Sequence, residues 1–177
     1  GAYEVSEAVQ EGFTRTFPGG DGTHSVTLIE GQQVTGLDFG NTRTKFYVVD
    51  DGSPDRTYEY GATGSAVENY SPLASGNTQP RGAASTAAGD TVWVVDANRS
   101  VYVYNTSGGL LGSWSLGSLS SSANVQGIAT NGTDVWVVDA YADKVYKYAG
   151  AASRRLGSQN AASSFNLNNS NKNPTDI

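Results

Sequence analysis

Valine-rich runs whose apolar residues alternate at period two recur along the chain, and three are near copies: Phe46-Tyr47-Val48-Val49-Asp50, Val92-Trp93-Val94-Val95-Asp96 and Val135-Trp136-Val137-Val138-Asp139. They recur at about 45 residues, the length of one repeat in blade-type architectures. Period-two alternation in β-branched and aromatic residues predicts strands, and no stretch keeps a 3.6-residue period long enough for a stable helix. Other positions keep step with these anchors. A Tyr-x-Tyr strand follows each one, at Tyr58 and Tyr60, Tyr102 and Tyr104, and Tyr146 and Tyr148. A glycine with a short apolar stretch precedes each one, at Gly36-Leu37-Asp38, Gly82-Ala83-Ala84 and Gly127-Ile128-Ala129. A looser fourth element follows, at Leu110-Leu111-Gly112-Ser113-Trp114-Ser115-Leu116 and around Ser164-Phe165-Asn166-Leu167.

Four short strands per unit are the pattern of a β-propeller blade, because a lone four-stranded sheet buries neither face and must stack on neighbours. The units run over about residues 36–80, 81–124 and 125–172. Asn173-Pro174-Thr175-Asp176-Ile177 repeats the opening of a unit, seen at Gln79-Pro80-Arg81-Gly82-Ala83 and Asn124-Val125-Gln126-Gly127-Ile128. Residues 1–41 read differently. Strands are expected at Tyr3-Glu4-Val5-Ser6-Glu7, at Gly12-Phe13-Thr14-Arg15-Thr16-Phe17-Pro18, at His24-Ser25-Val26-Thr27-Leu28 and over Gln33 to Asn41. The expected fold is therefore all-β: the end of a β-sandwich over 1–41, then about three four-stranded blades of an incomplete propeller over 42–177. Closing a ring takes four to eight blades. The expectation is that the natural chain extends beyond both ends, and that its sheet edges are completed by missing parts of the parent chain or by identical copies.

Composition narrows the chemistry. The chain has 22 Gly, 10 Tyr and 3 Trp, a formal charge of -6 and no Cys or Met. A phosphate backbone is normally met by clustered Lys and Arg, so nucleic acid is not an expected partner. Without Cys and with one His, disulfides and the usual zinc sites are excluded. No apolar run reaches the ~20 residues of a membrane-spanning helix, so no membrane span is expected in this segment.

The strands Tyr3–Glu7 and Gly12–Pro18, with His24–Leu28 and Gly31–Asn41, resemble the C-terminal half of an SdrD B-like, Cna-B-related domain. The resemblance implies a prealbumin-like β-sandwich serving as a stalk in bacterial surface proteins. The calcium and isopeptide residues of that family fall before Gly1 and map to no position here. Residues from about 42 onward resemble the NHL-like propeller repeats found beside such stalks in large secreted proteins of planctomycete type. Neither resemblance brings an activity with it, since propellers host enzymes, receptors and scaffolds alike.

Individual residues support the same reading. Asp50, Asp96 and Asp139 end equivalent strands, where a carboxylate accepts backbone N–H bonds and caps a turn; a ring of cation ligands is the competing reading. Asp50-Asp51-Gly52-Ser53-Pro54-Asp55 is the densest oxygen cluster, but it lacks the spacing of a calcium loop. His24 has no second imidazole or thiol beside it in sequence and is expected on an exposed polar face. No Gly-x-Ser-x-Gly elbow is present, and the Gly-rich stretch Gly61-Ala62-Thr63-Gly64 opens no helix that would receive phosphate. Trp93, Trp114, Trp136 and the tyrosine pairs are read as packing between blades, with a sugar platform as the alternative. Arg154-Arg155 is read as solvated surface. Asn69, Asn98, Asn105, Asn131 and Asn168 stand in Asn-x-Ser/Thr sequences and are read as turns.

No catalytic, cofactor-binding or metal-binding residues are assigned, and no cofactor is expected. The expected role is a non-catalytic extracellular or cell-surface structural or adhesive module of a large bacterial protein, with surface glycans or proteins as further partners. The alternatives are part of a lyase- or lactonase-type propeller enzyme whose active residues lie in other blades, and a carbohydrate-binding module.

Overall fold

The computed structural model describes residues 1–86 and 89–177, and it is all-β with a 3-10 turn at Ala151–Ser153. The N-terminal region forms two small antiparallel pairs. Strand β1 (Ala2–Ser6) pairs with β3 (Thr23–Thr27), and β2 (Phe13–Phe17) pairs with β4 (Gly40–Arg43). The three repeats follow as three sheets. The first contains β5 (Lys45–Asp50), β6 (Arg56–Gly61) and β7 (Ala66–Tyr70) in that order. The second places β8 (Pro80–Ser85), β9 (Thr91–Asp96), β10 (Ser100–Asn105) and β11 (Leu110–Leu116) side by side. The third orders β12 (Val125–Thr130), β13 (Val135–Asp139), β14 (Lys144–Tyr148) and β16 (Ser163–Asn166). The two-residue β15 (Ser158–Gln159) leaves the third repeat and pairs in parallel with β11, extending the second sheet.

Two Val-Val-Asp strands, β9 and β13, thus hold the second position, counted from the innermost strand, in the antiparallel part of two consecutive sheets. The innermost strands β8 and β12 lie beside one another. That is a propeller-like arrangement, and strand alternation explains its stacking. On one face of the second sheet Val92, Val94, Tyr102 and Tyr104 cluster with Leu73, and Tyr47 and Val49 of the first sheet pack against them. On the opposite face Trp93, Val95, Val101, Val103 and Trp114 join Val135, Val137 and Tyr148 of the third sheet. The Trp114 and Tyr148 rings meet edge to face at 5.3 Å. Each valine so enclosed contributes about 1.5–3 kcal/mol relative to an exposed one.

The close approach of the innermost strands depends on glycine. A Cβ on Gly82 would lie 3.1 Å from the Gly127 Cα and 3.2 Å from the Gln126 carbonyl oxygen. A Cβ on Gly127 would lie 2.7 Å from the Asp176 Cα and 2.8 Å from the Ile177 nitrogen. Asp176–Ile177 therefore stand against Gly127 as Gln126–Ile128 stand against Gly82.

The strand-end carboxylates act as backbone clamps. Asp96 Oδ2 accepts from the Gln79 N–H at 2.7 Å and Oδ1 from the Asn98 N–H at 2.8 Å. Asp139 Oδ1 accepts from the Asn124 N–H at 2.8 Å and the Tyr141 N–H at 3.0 Å. Each buried carboxylate ties the chain just ahead of its sheet's first strand to the turn after its second.

The first repeat departs from this plan. The expected strand at Gly36-Leu37-Asp38 does not form, and of Gln33 to Asn41 only Gly40 and Asn41 enter a strand. Residues 40–43 are committed to β2, and Thr44 alone separates them from β5, so no turn remains to bring residues 36–38 back against β5. With no first strand to clamp, Asp50 stays exposed.

Asp96→Ala is expected to cost about 3 kcal/mol, because it removes two charge-assisted bonds to a buried carboxylate. Asp50→Ala is expected to stay within about 0.5 kcal/mol of the parent. Urea denaturation of the two variants checks the contrast, and equal losses would contradict the clamp.

Candidate functional site

Among the described residues, Glu59 on β6 is a fully enclosed carboxylate, 2% exposed, at the junction of the first two sheets. Strand pairing sets it opposite Tyr47, as Val103 is opposite Trp93 and Lys147 opposite Trp136. The first sheet thus carries an acid where the second carries valine. A buried carboxylate persists only with partners. Glu59 Oε2 accepts from the Tyr70 hydroxyl at 2.9 Å and the Tyr47 hydroxyl at 3.3 Å, and Oε1 pairs with Lys45 Nζ at 3.0 Å. Desolvation, followed by the adjacent Glu59 charge and hydrogen bond, pushes both tyrosine hydroxyls well above the ordinary range. They are held as donors at neutral pH, so the cluster ties β5, β6 and β7 of the first sheet together through one carboxylate.

Lys45 also lines a cleft of about 340 Å³, shared with Arg15, Arg43, Thr16, Ser85 and Thr86. Its cations are engaged: Arg15 donates to the Asp21 carbonyl at 2.9 Å, and Arg43 sits 5.5 Å from the centre of the Phe13 ring. A second cleft, of about 390 Å³, opens between the second and third sheets beside Asp90, Trp93, Ser153 and Arg155. Arg155 is partly buried, which lowers its pKa, and it donates to the Ala152 and Arg154 carbonyls at 2.7 and 2.9 Å. It is a fixed structural cation and not the solvated surface group expected from sequence.

The remaining candidates separate. Asp51 faces Arg81 at 3.6 Å, which sets a guanidinium beside the acidic loop, and no cluster of three metal-ligating side chains occurs among the described residues. His24 is half-buried instead of exposed. Its ring lies 5.7 Å from Phe17 and 5.1 Å from Phe39, and Nε2 is 2.8 Å from the Asp38 carbonyl oxygen. Asp38 and Phe39 thus pack on His24, and not along β5. Trp93 and Trp114 are buried between sheets, whereas Trp136 is half-buried with the Lys147 ammonium 5.5 Å from its ring centre. The side-chain oxygens of Asn98, Asn105, Asn131 and Asn168 accept backbone N–H bonds within their own turns. Asn69 lies in β7 instead of a turn.

Sequence reasoning missed Glu59, although a charge inside a Tyr-x-Tyr strand, where the second repeat has Val103, was the available signal. It named Trp114 and Phe165 in the fourth strands of their units but missed their counterpart Tyr70: the three pair with the equivalent residues Val101, Val145 and Thr57.

No protein-family profile matches the chain, and no curated protein matches it by sequence. Among solved structures, it aligns over 90% of its length with Kluyvelomyces marxianus Hsv2, at 12% identity and a TM-score of 0.47, covering 50% of that chain. It also aligns over 68% of its length with Kuenenia stuttgartiensis hydrazine synthase, at 16% identity and a TM-score of 0.45, covering 32% of that chain. The chain therefore spans half or less of the length of either structure. Its propeller-like character rests on the strand order and face packing above.

Alkaline solution should loosen the Glu59 junction. A tyrosine whose folded pKa is raised contributes stability that is fully present below its unfolded value of about 10 and is lost as pH climbs toward the folded value. Tyr104 and Tyr148 are raised by burial in the same sense. Tyr70→Phe is expected to cost about 1–3 kcal/mol at neutral pH by taking a partner from Glu59, and to flatten the fall in stability above pH ~10. Urea titrations at neutral and alkaline pH read both effects; an unchanged alkaline slope would contradict the assignment.

Proposed function

We propose that the chain is a non-catalytic structural or adhesive module of a large bacterial surface protein, working outside the cell. The observation that carries the reading is where the polar groups are used. Asp96 and Asp139 hold backbone N–H groups, Glu59 holds two tyrosines and a lysine, and four of the five sequon asparagines close turns. The buried carboxylates are thus spent on fixing sheets and turns, which suits a scaffold that displays surfaces.

In this reading residues 1–41 are the end of a prealbumin-like stalk domain of SdrD B type, and the repeats from residue 42 are NHL-like blades. The two small N-terminal pairs, β1–β3 and β2–β4, suit the closing strands of a sandwich. Absent cysteines, a formal charge of -6 and the lack of any described helix long and apolar enough to cross a membrane are compatible with this placement. Surface glycans or proteins are the partners such a module meets; burial of Trp93 and Trp114 weakens a sugar platform built on them.

Beads coated with the protein are expected to be retained saturably on arrays of surface polysaccharides and matrix proteins, with no change on adding a chelator. The same preparation is expected to leave aldonolactones and uronate polymers unaltered. Turnover of either substrate class would overturn the non-catalytic reading in favour of a lyase or lactonase, and failure to adhere to any arrayed surface would overturn the adhesive one.

A further inference from the structure

The three sheets are related by the repeat, so each face has an equivalent whose covering can be read off. Val92 and Val94 on the second sheet and Val135 and Val137 on the third are fully buried by the sheet before them. Their equivalents on the first sheet, Phe46 and Val48, are 50% and 51% exposed. At the other end, Trp114 is 2% exposed beneath the third sheet, whereas its third-sheet equivalent Phe165 is 55% exposed. Phe46 and Val48 therefore stand open at one end of the stack, and Phe165 stands open at the other beside the buried Val138 and Val145, while within the chain every face of the first kind is met by a face of the second.

The innermost strands show the same complementarity. Strand β5 has β6 as its one strand partner among the described residues, because residues 36–38 turn away. Asp176–Ile177 lie against Gly127 in the position that a following sheet's first strand would take.

We infer that the chain pairs head to tail with a second copy of itself: the Phe46/Val48 face of one copy seats on the Trp136/Phe165 face of the other, and residues 174–177 of the second copy lie along β5 of the first. The chain's own junctions supply the chemistry. Trp114 meets Tyr148 at 5.3 Å between the second and third sheets. Strand register makes Phe165 the equivalent of Trp114 and Tyr60 the equivalent of Tyr148, so Phe165 of one copy meets Tyr60 of the other. The contact is heterologous, with a different patch on each side. It stands apart from the adhesive reading, since enzymatic turnover would remove that reading and leave this contact intact.

Light scattering behind size exclusion, run over a dilution series, is expected to show self-association. Val48→Asp alone and Phe165→Asp alone should each give a monomer that melts cooperatively, both positions being exposed. Mixing the two variants should restore a species of twice the mass, because one intact head then meets one intact tail. The chain has no cysteine, so a second measurement is free of background. Tyr60→Cys mixed with Phe165→Cys should form a disulfide-linked dimer under mild oxidation. A wild-type monomer at every concentration, self-association unaffected by both aspartates, or the absence of the mixed disulfide would each overturn the inference.

Discussion

A short antiparallel sheet with apolar side chains on both faces cannot persist in water alone, and the architecture follows from that constraint. Alternation along β9 sends Val92 and Val94 one way and Trp93 and Val95 the other, so the second sheet must be sandwiched. The first and third sheets provide the cover. The buried aspartates then fix the chain at the rim of each complete sheet, and the glycine approaches let the innermost strands converge. Neither device would serve without the stacking that brings the sheets together.

The two junctions differ in kind. Between the second and third sheets the contact is apolar, with Trp93, Val103 and Trp114 set against Val135, Val137 and Tyr148. Between the first and second, Glu59 replaces the valine and recruits Tyr47, Tyr70 and Lys45. A buried carboxylate with its partners adds geometric definition at a desolvation cost that an apolar contact avoids. The first sheet also lacks its innermost strand. Both features leave it the less firmly held of the three.

Much of this order was legible in the sequence. The repeated Val-Val-Asp and Tyr-x-Tyr runs located the second and third strands of the second and third units and the first two strands of the first, because a doubly buried strand is written as a near-continuous apolar run and a turn-capping aspartate marks its end in the complete sheets. What misled was the first unit. Gly36-Leu37-Asp38 matches the pattern of an innermost strand, yet its partner is decided by tertiary competition: Phe39 docks on His24, and residues 40–43 pair with β2. Local pattern carries no information about which of two distant strands wins a segment. The Glu59 cluster was hidden for a related reason, since an acid in an alternating strand looks solvent-facing until the register sets it between sheets. His24 and Arg155 were likewise read as surface because their neighbours in space are remote in sequence or lie along the backbone.

Backbone hydrogen exchange, followed strand by strand on the Phe165→Asp chain so that only its own sheets contribute, tests the sandwich account most directly. Exchange in Thr91–Asp96 and Val101–Val103 should require global unfolding, Val135–Asp139 should follow closely, and Lys45–Asp50 should open at a distinctly lower free energy. Equal protection of Lys45–Asp50 and Thr91–Asp96 would contradict the claim that burial of both sheet faces is what holds this structure together.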